Sequence, residues 1–134
     1  MSTGLDTSVV LRLLVGEPEV QARRALAEVE MLMRCGSALL VSDLVVSEVY
    51  YALQYHYRVP KAEALFLLKH FFSASGIKAS GGAMAVLATP NLATAKPDFV
   101  DRLIHADYAL STREVLTFEK AAGRLQGMRV LDAL

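Results

Sequence analysis

Tryptophan is absent, and cysteine occurs once, at Cys35, in a chain of 134 residues. A single thiol excludes any disulfide within the chain and any zinc site built on several cysteines. It suits a reducing setting, and a buried, idle thiol is the plain expectation for it. A surplus of one charge is also missing: 14 Lys and Arg stand against 14 Asp and Glu, with a pI near 6.8. Proteins that grip nucleic acid through its phosphates usually carry a basic excess. Broad electrostatic binding is therefore excluded, and any phosphate contact must use a local basic patch or a metal. No apolar run is long enough to span a bilayer. The longest uncharged stretch, 79–95, is interrupted by Gly81, Gly82, Pro90 and Asn91 and falls short of the roughly 20 apolar residues a span requires. No basic segment followed by an apolar one opens the sequence, so no membrane association is expected and a cytoplasmic location is. Internal repeats and low-complexity tracts are lacking too.

What the chain does have is apolar mass. Its 134 residues suit a single domain, 1–134. The hydrophobic fraction is 54% and the mean hydropathy is +0.36, more than one small globule can hide. The excess implies an interface with a second copy, a partner protein, or both. The elements alternate. A short strand at Thr3–Asp6 leads into a helix capped by Thr7-Ser8, and Gly16 stops it. A second helix follows Pro18 and ends at Gly36. Ala38–Val41 reads as a buried strand, with Ser42 as the cap of the helix Leu44–Tyr57 and Asp43 in its first turn. A helix opens after Pro60. The segment Gly76–Ser80 is ambiguous, Gly82–Ala88 can be helical, and Pro90–Pro97 reads as loop. A helix begins near Pro97-Asp98 and runs to about Leu110. The strand Val115–Phe118, a helical turn from Glu119 to Leu125 and a last strand, Arg129–Leu131, complete the chain. Short apolar strands alternating with helices predict an α/β fold with a mainly parallel sheet.

The acids fall at informative places. Asp6 follows the first strand and Glu119 follows the strand beginning at Val115. Ligand sites in open parallel sheets lie at the carboxyl ends of strands, so acids at two such ends tend to face one crevice. Glu48 and Asp101 sit early in helices, and Asp98 precedes Asp101 by three residues, on the same helix face. Carboxylates gathered at one point repel each other unless a cation balances them. Oxygen donors without a Cys or His cluster select Mg²⁺ or Mn²⁺, and such an ion can activate water against a phosphodiester. Taken singly, Asp6 can be a helix cap, Glu48 a solvated residue, and Asp101 a surface partner of Arg102 or Lys96.

The motifs resemble those of a known family. Gly4–Leu14 resembles the opening of PIN-domain nucleases. Val41–Leu53, with Glu48, resembles their second motif, and Asp98–Ile104, with Asp101, the third. Leu116–Glu119 with Leu125–Leu131 resembles the closing segment. The resemblance implies a three-layer α/β/α fold with four or five mainly parallel strands. It implies a divalent-metal endoribonuclease acting on RNA, most similar to VapC-type toxins, which dimerise and are held inactive by an antitoxin protein. Asp6, Glu48, Asp101 and Glu119 would be the catalytic acids that hold Mg²⁺ or Mn²⁺. Ser8 and Thr117 would hydrogen-bond at the pocket edge, with Asp98 in support. Arg12 and Arg102 are candidate substrate contacts, and a solvated position is the alternative for Arg102. The family's fourth acid is usually Asp where this chain has Glu119. That departure, with the neutral charge, leaves a second reading: a non-catalytic RNA- or protein-binding module with a degenerate acidic pocket.

Other features weigh less. His105 shares a helix face with Asp101, and a structural role is expected for it. Tyr50, Tyr51, Tyr55 and Tyr57 cluster before Arg58, which suits packing or, less readily, base stacking. Gly81-Gly82 lacks the spacing of a phosphate-binding loop. A phosphoacceptor domain would need paired acids after the first strand and a late Lys, and the chain has a lone Asp6 and a Lys120 on the wrong side of Glu119.

Overall fold

The computed structural model describes residues 1–132. The chain divides into two compact units, Met1–Gly81 and the part from Gly82 onward. In the first, β1 (Ser2–Gly4), α1 (Thr7–Val15), α2 (Glu19–Arg34), β2 (Ala38–Val41), α3 (Asp43–Tyr55), α4 (Lys61–Ala74) and β3 (Lys78–Ala79) follow in order. The strands form one sheet in the order β1-β2-β3, with Ser2 opposite Ala38 and Leu40 opposite Lys78. Both pairings are parallel. A parallel pairing needs a crossover, and a helix pair provides each one: α1 and α2 between β1 and β2, α3 and α4 between β2 and β3. The central strand is the most buried, as its unbroken apolar sequence demands: Leu39 and Val41 are shut off from solvent. Val10, Val46, Val49, Leu53, Leu68 and Ile77 share that buried state.

Helix ends obey local chemistry. Ser42 caps α3, its hydroxyl accepting from Val45 N at 3.3 Å. Gly16 closes α1 in the left-handed region at φ 80°, donating its N–H to the Arg12 carbonyl. The cap of α1 is Asp6 instead of the expected Thr7-Ser8 pair: its Oδ1 accepts from Thr7 N at 2.8 Å. An ionised carboxylate is a good acceptor at a helix start and meets the positive end of the dipole there.

The second unit holds α5 (Ala83–Leu87), α6 (Phe99–Ala109), β4 (Val115–Thr117), a 3₁₀ turn at Lys120–Arg124, and β5 (Met128–Val130). β4 and β5 pair in parallel, Val115 opposite Met128. Arg129 binds Glu114 with Nε and Nη2 at 3.1 and 3.0 Å. The α/β class and the parallel pairing agree with expectation and are consistent with a three-layer α/β/α fold. Among the described residues the five strands are hydrogen-bonded as a set of three and a set of two. Cys35 lies at the end of α2, exposed instead of buried, because the helix stops where the chain turns at the surface. No helix among the described residues is long and apolar enough to cross a membrane.

Candidate metal centre

The first unit holds Asp6 and Glu48. Leu5 and Asp6 follow β1, and the buried Leu5 donates its N–H to the Leu40 carbonyl at 2.9 Å, which pins the chain at the sheet's carboxyl end. Asp6 emerges exposed at that point. Glu48 stands on α3, and Thr7 joins the two acids. Its main-chain N–H binds Asp6 Oδ1, and its hydroxyl donates to Glu48 Oε1 at 2.7 Å. The other oxygen of each acid, Asp6 Oδ2 and Glu48 Oε2, accepts no hydrogen bond among the described residues. Each carboxylate is thus held by one oxygen and open at the other. Sequence reasoning passed over Thr7 in favour of Ser8. Its position directly after Asp6 was the available clue, since the first helical residue lies beside its own cap. Ser8 lines a groove of about 570 Å³ with Thr3, Gly4, Val9 and residues of α2.

Two further contacts bear on this corner. Arg12 donates through Nε to Gln21 Oε1 at 2.6 Å and lines the same groove. Asp43, in the first turn of α3, has its carboxyl pressed against Gly81: a Cβ there would lie 2.4 Å from Asp43 Oδ2. A side chain at 81 would have to displace that carboxyl.

The second unit holds Asp98, Asp101 and Glu119. Asp101 and Glu119 line a cavity of about 170 Å³ together with Ile104, Tyr108, Thr117 and Met128. Thr117 positions Glu119: its Oγ1 accepts from Glu119 N at 3.0 Å, a turn that folds the acid's backbone back onto the end of β4. Asp98 is the cap residue of α6, with extended backbone, and so precedes the helix face on which it was expected. It still reaches Asp101 through a side-chain hydrogen bond. The Asp101 carboxyl is held above its ordinary value of 3.8, first by partial burial, then by the Asp98 charge and hydrogen bond and the Glu119 charge; Lys96 works the other way. Arg102 donates through Nε to the Pro97 carbonyl at 2.6 Å, tying the start of α6 in place. His105 meets the Gln126 carbonyl, the structural role expected of it.

The Asp101 shift gives a stability prediction. A group that binds its proton more tightly folded than unfolded stabilises the fold fully below the ordinary carboxylate range. That contribution is lost as pH rises through the raised folded value. Asp98→Asn removes one charge and alters the shared hydrogen bond. Carboxyl carbon NMR against pH is expected to show Asp101 titrating closer to 3.8 in this variant, and its melting temperature is expected to fall less as pH rises through that range. An unmoved Asp101 titration would show that Asp98 is not a cause.

All these donors are carboxylate oxygens, which suit a hard divalent cation. As the side chains stand, no three His, Cys, Asp or Glu residues among those described are placed to hold one ion. The donor chemistry fits Mg²⁺ or Mn²⁺: Asp6 and Glu48 are linked through Thr7 in one unit, and Asp98 and Glu119 act on Asp101 in the other. The profile of the PIN domain family matches residues 5–121, a span that contains all four acids and their threonine supports. No curated protein and no solved structure matches the chain.

Proposed function

This chain belongs to the PIN domain family, whose fold is generally that of metal-dependent nucleases, and we propose that it is an endoribonuclease. In this reading Asp6, Glu48, Asp101 and Glu119 hold Mg²⁺ or Mn²⁺, and water cleaves an RNA phosphodiester. The observation that carries it is Thr7, which binds one oxygen of Asp6 and one of Glu48, two exposed acids, and does not take up the second oxygen of either. When bound, a divalent ion supplies a lowered pKa for water and a positive charge beside a phosphate oxygen. The chain's own residues do the rest. Thr7 and Thr117 orient Glu48 and Glu119. Burial and then Asp98 raise the proton affinity of Asp101, so its carboxylate form, the one that would hold a divalent ion, is favoured as pH rises. The same reading makes the protein the cytoplasmic toxin of a toxin–antitoxin pair, a homodimer in a single 1–134 domain, restrained by an antitoxin. A short neighbouring frame encoding a small DNA-binding protein would support that part.

A second reading rests on two observations: Glu119 stands where the family usually has Asp, and no three donors are placed around one point among the described residues. In it the pocket is degenerate and the domain binds RNA or protein without cutting. Calorimetric titration with MnCl₂ separates the two. The nuclease reading expects heat from a saturable site at millimolar metal or below, with proton release that grows as pH falls toward the Asp101 titration. No binding at millimolar Mn²⁺ would favour the second reading.

A further inference from the structure

In the second unit, the loop that leads from α6 into β4 and the turn that leads into β5 meet at a cavity of about 270 Å³. Its lining includes His105, Thr112, Arg113, Glu114, Gln126 and Gly127. That volume falls just below the roughly 300–1,000 Å³ of most ligand pockets, so it suits a small group. The two segments touch: a Cβ on Gly127, which has φ 79°, would lie 3.2 Å from the Arg113 carbonyl. His105 reaches from α6 to the Gln126 carbonyl, and Arg129 holds Glu114 through Nε and Nη2. Val115 lines this cavity and also the one that holds Asp101 and Glu119, so the two adjoin.

The lining offers donors that have nothing to bind. Thr112 spends its hydroxyl on the Tyr108 carbonyl at 2.8 Å, and Arg129 offsets the charge of Glu114. The exposed Arg113 side chain, by contrast, has no partner among the described residues. The main-chain N–H groups of Arg113, Glu114 and Gln126 likewise donate to no acceptor among those residues. A guanidinium and N–H groups left open around one cavity call for an oxyanion. The planar fork of Arg matches a pair of phosphate oxygens. A tetrahedral group also accepts from several directions, as donors on two segments require, whereas a carboxylate accepts in one plane. We propose that this cavity binds a phosphate group, held by Arg113 and by the N–H groups of residues 113, 114 and 126. Asp101 and Glu119 would repel such a group, and here it lies beside them, not among them. The inference does not rest on the nuclease reading. It supplies the local basic contact that a chain without net positive charge needs if it is to hold phosphate.

The test is an amide NMR titration of the full chain in EDTA. One probe is adenosine monophosphate; the other is the trinucleotide UpUpU, whose phosphates all lie within its backbone. The amides of Arg113, Glu114 and Gln126 are expected to shift together and to saturate with at least one probe. Adenosine, which lacks the phosphate, should move none of them. Arg113→Gln is expected to weaken binding about tenfold or more, and Arg113→Lys, which keeps the charge but not the fork, should fall in between. Glu114→Gln takes a negative charge out of the lining and is expected to tighten binding a few-fold, the reverse of what losing a merely structural bridge would do. Arg113 is exposed, and melting curves of its variants should match the parent. Saturation by the monophosphate alone would make the ligand a free nucleotide, and saturation by UpUpU would make it a strand phosphate. Binding of neither probe would overturn the proposal. So would an Arg113→Gln protein that binds like its parent, adenosine that shifts the same amides, or weaker binding by Glu114→Gln. If phosphate binds as expected but the parent never cuts RNA in Mn²⁺, the nuclease reading fails while this site stands.

Discussion

Asp6→Asn is expected to lower RNA cleavage at least about 100-fold, the upper end of what losing a mere supporting partner costs a metal site, with thermal stability nearly unchanged. The two effects separate because the nuclease reading gives Asp6 two jobs. As a cap, its Oδ1 accepts the Thr7 N–H at 2.8 Å, and the amide oxygen of Asn does the same work about as well. As a donor to a divalent ion, its second oxygen needs negative charge, which Asn lacks. Asp6→Ala removes both and is expected to cost about 1 kcal/mol of stability besides the activity. Cleavage of a fluorescent RNA in Mn²⁺, with EDTA as the blank and a denaturation curve for each variant, checks all of this. Equal cleavage by parent and Asp6→Asn would end the nuclease assignment. Loss of activity together with a collapsed melting curve in Asp6→Asn would show that the cap had been underestimated.

How much of this was readable from the chain differs by element. Ser42 announced its helix because a hydroxyl before an apolar-periodic stretch has few better uses, and its bond to Val45 N is as expected. The parallel pairing followed from Ala38–Val41, whose unbroken apolar run makes sense only for a strand covered on both faces. The hydrogen-bonded grouping of strands was not legible. β3 is a two-residue strand, Lys78–Ala79, fixed by its pairing with Leu40 and Val41 and not by any pattern of its own. The strand-forming preference of so short a segment is outweighed by its tertiary partner.

The candidate site shows the same division. Acids at strand ends were visible because sequence position fixes which end of a sheet a residue reaches. The groups that orient them were hidden. Thr7 meets Glu48 across 41 residues of chain, and no periodicity encodes such a bond. Arg102 reads as a candidate phosphate contact or a solvated residue, and its Nε donates to the Pro97 carbonyl, a partner that depends on how the chain turns before α6. Spacing tells which side chains share a face; it does not tell which of them is already occupied.

Phe99→Ala is expected to cost about 3–5 kcal/mol. Phe99 has 0% of its surface exposed and is the largest of the fully buried side chains. Truncating it removes the transfer energy of the ring and leaves a cavity that close-packed neighbours only partly fill. In a chain of this size the melting temperature is expected to fall by roughly 10–20 °C. Phe99→Leu keeps much of the volume and is expected to cost about 1–2 kcal/mol. The functional consequence comes from position. Phe99 opens α6 directly after the Asp98 cap, and Asp101 stands two residues on. A helix start that has lost its buried anchor holds Asp98 and Asp101 less firmly against each other. The raised titration of Asp101 comes first from its partial burial and then from that contact, so it should relax toward the ordinary carboxylate value in Phe99→Ala and stay raised in Phe99→Leu. Denaturant curves measure the first effect and carboxyl NMR the second. A Phe99→Ala protein as stable as its parent would mean that the ring is not the anchor its burial implies. A destabilised one with Asp101 unmoved would mean that the acid cluster is held by the 97–98 segment alone, through the Arg102 bond to Pro97.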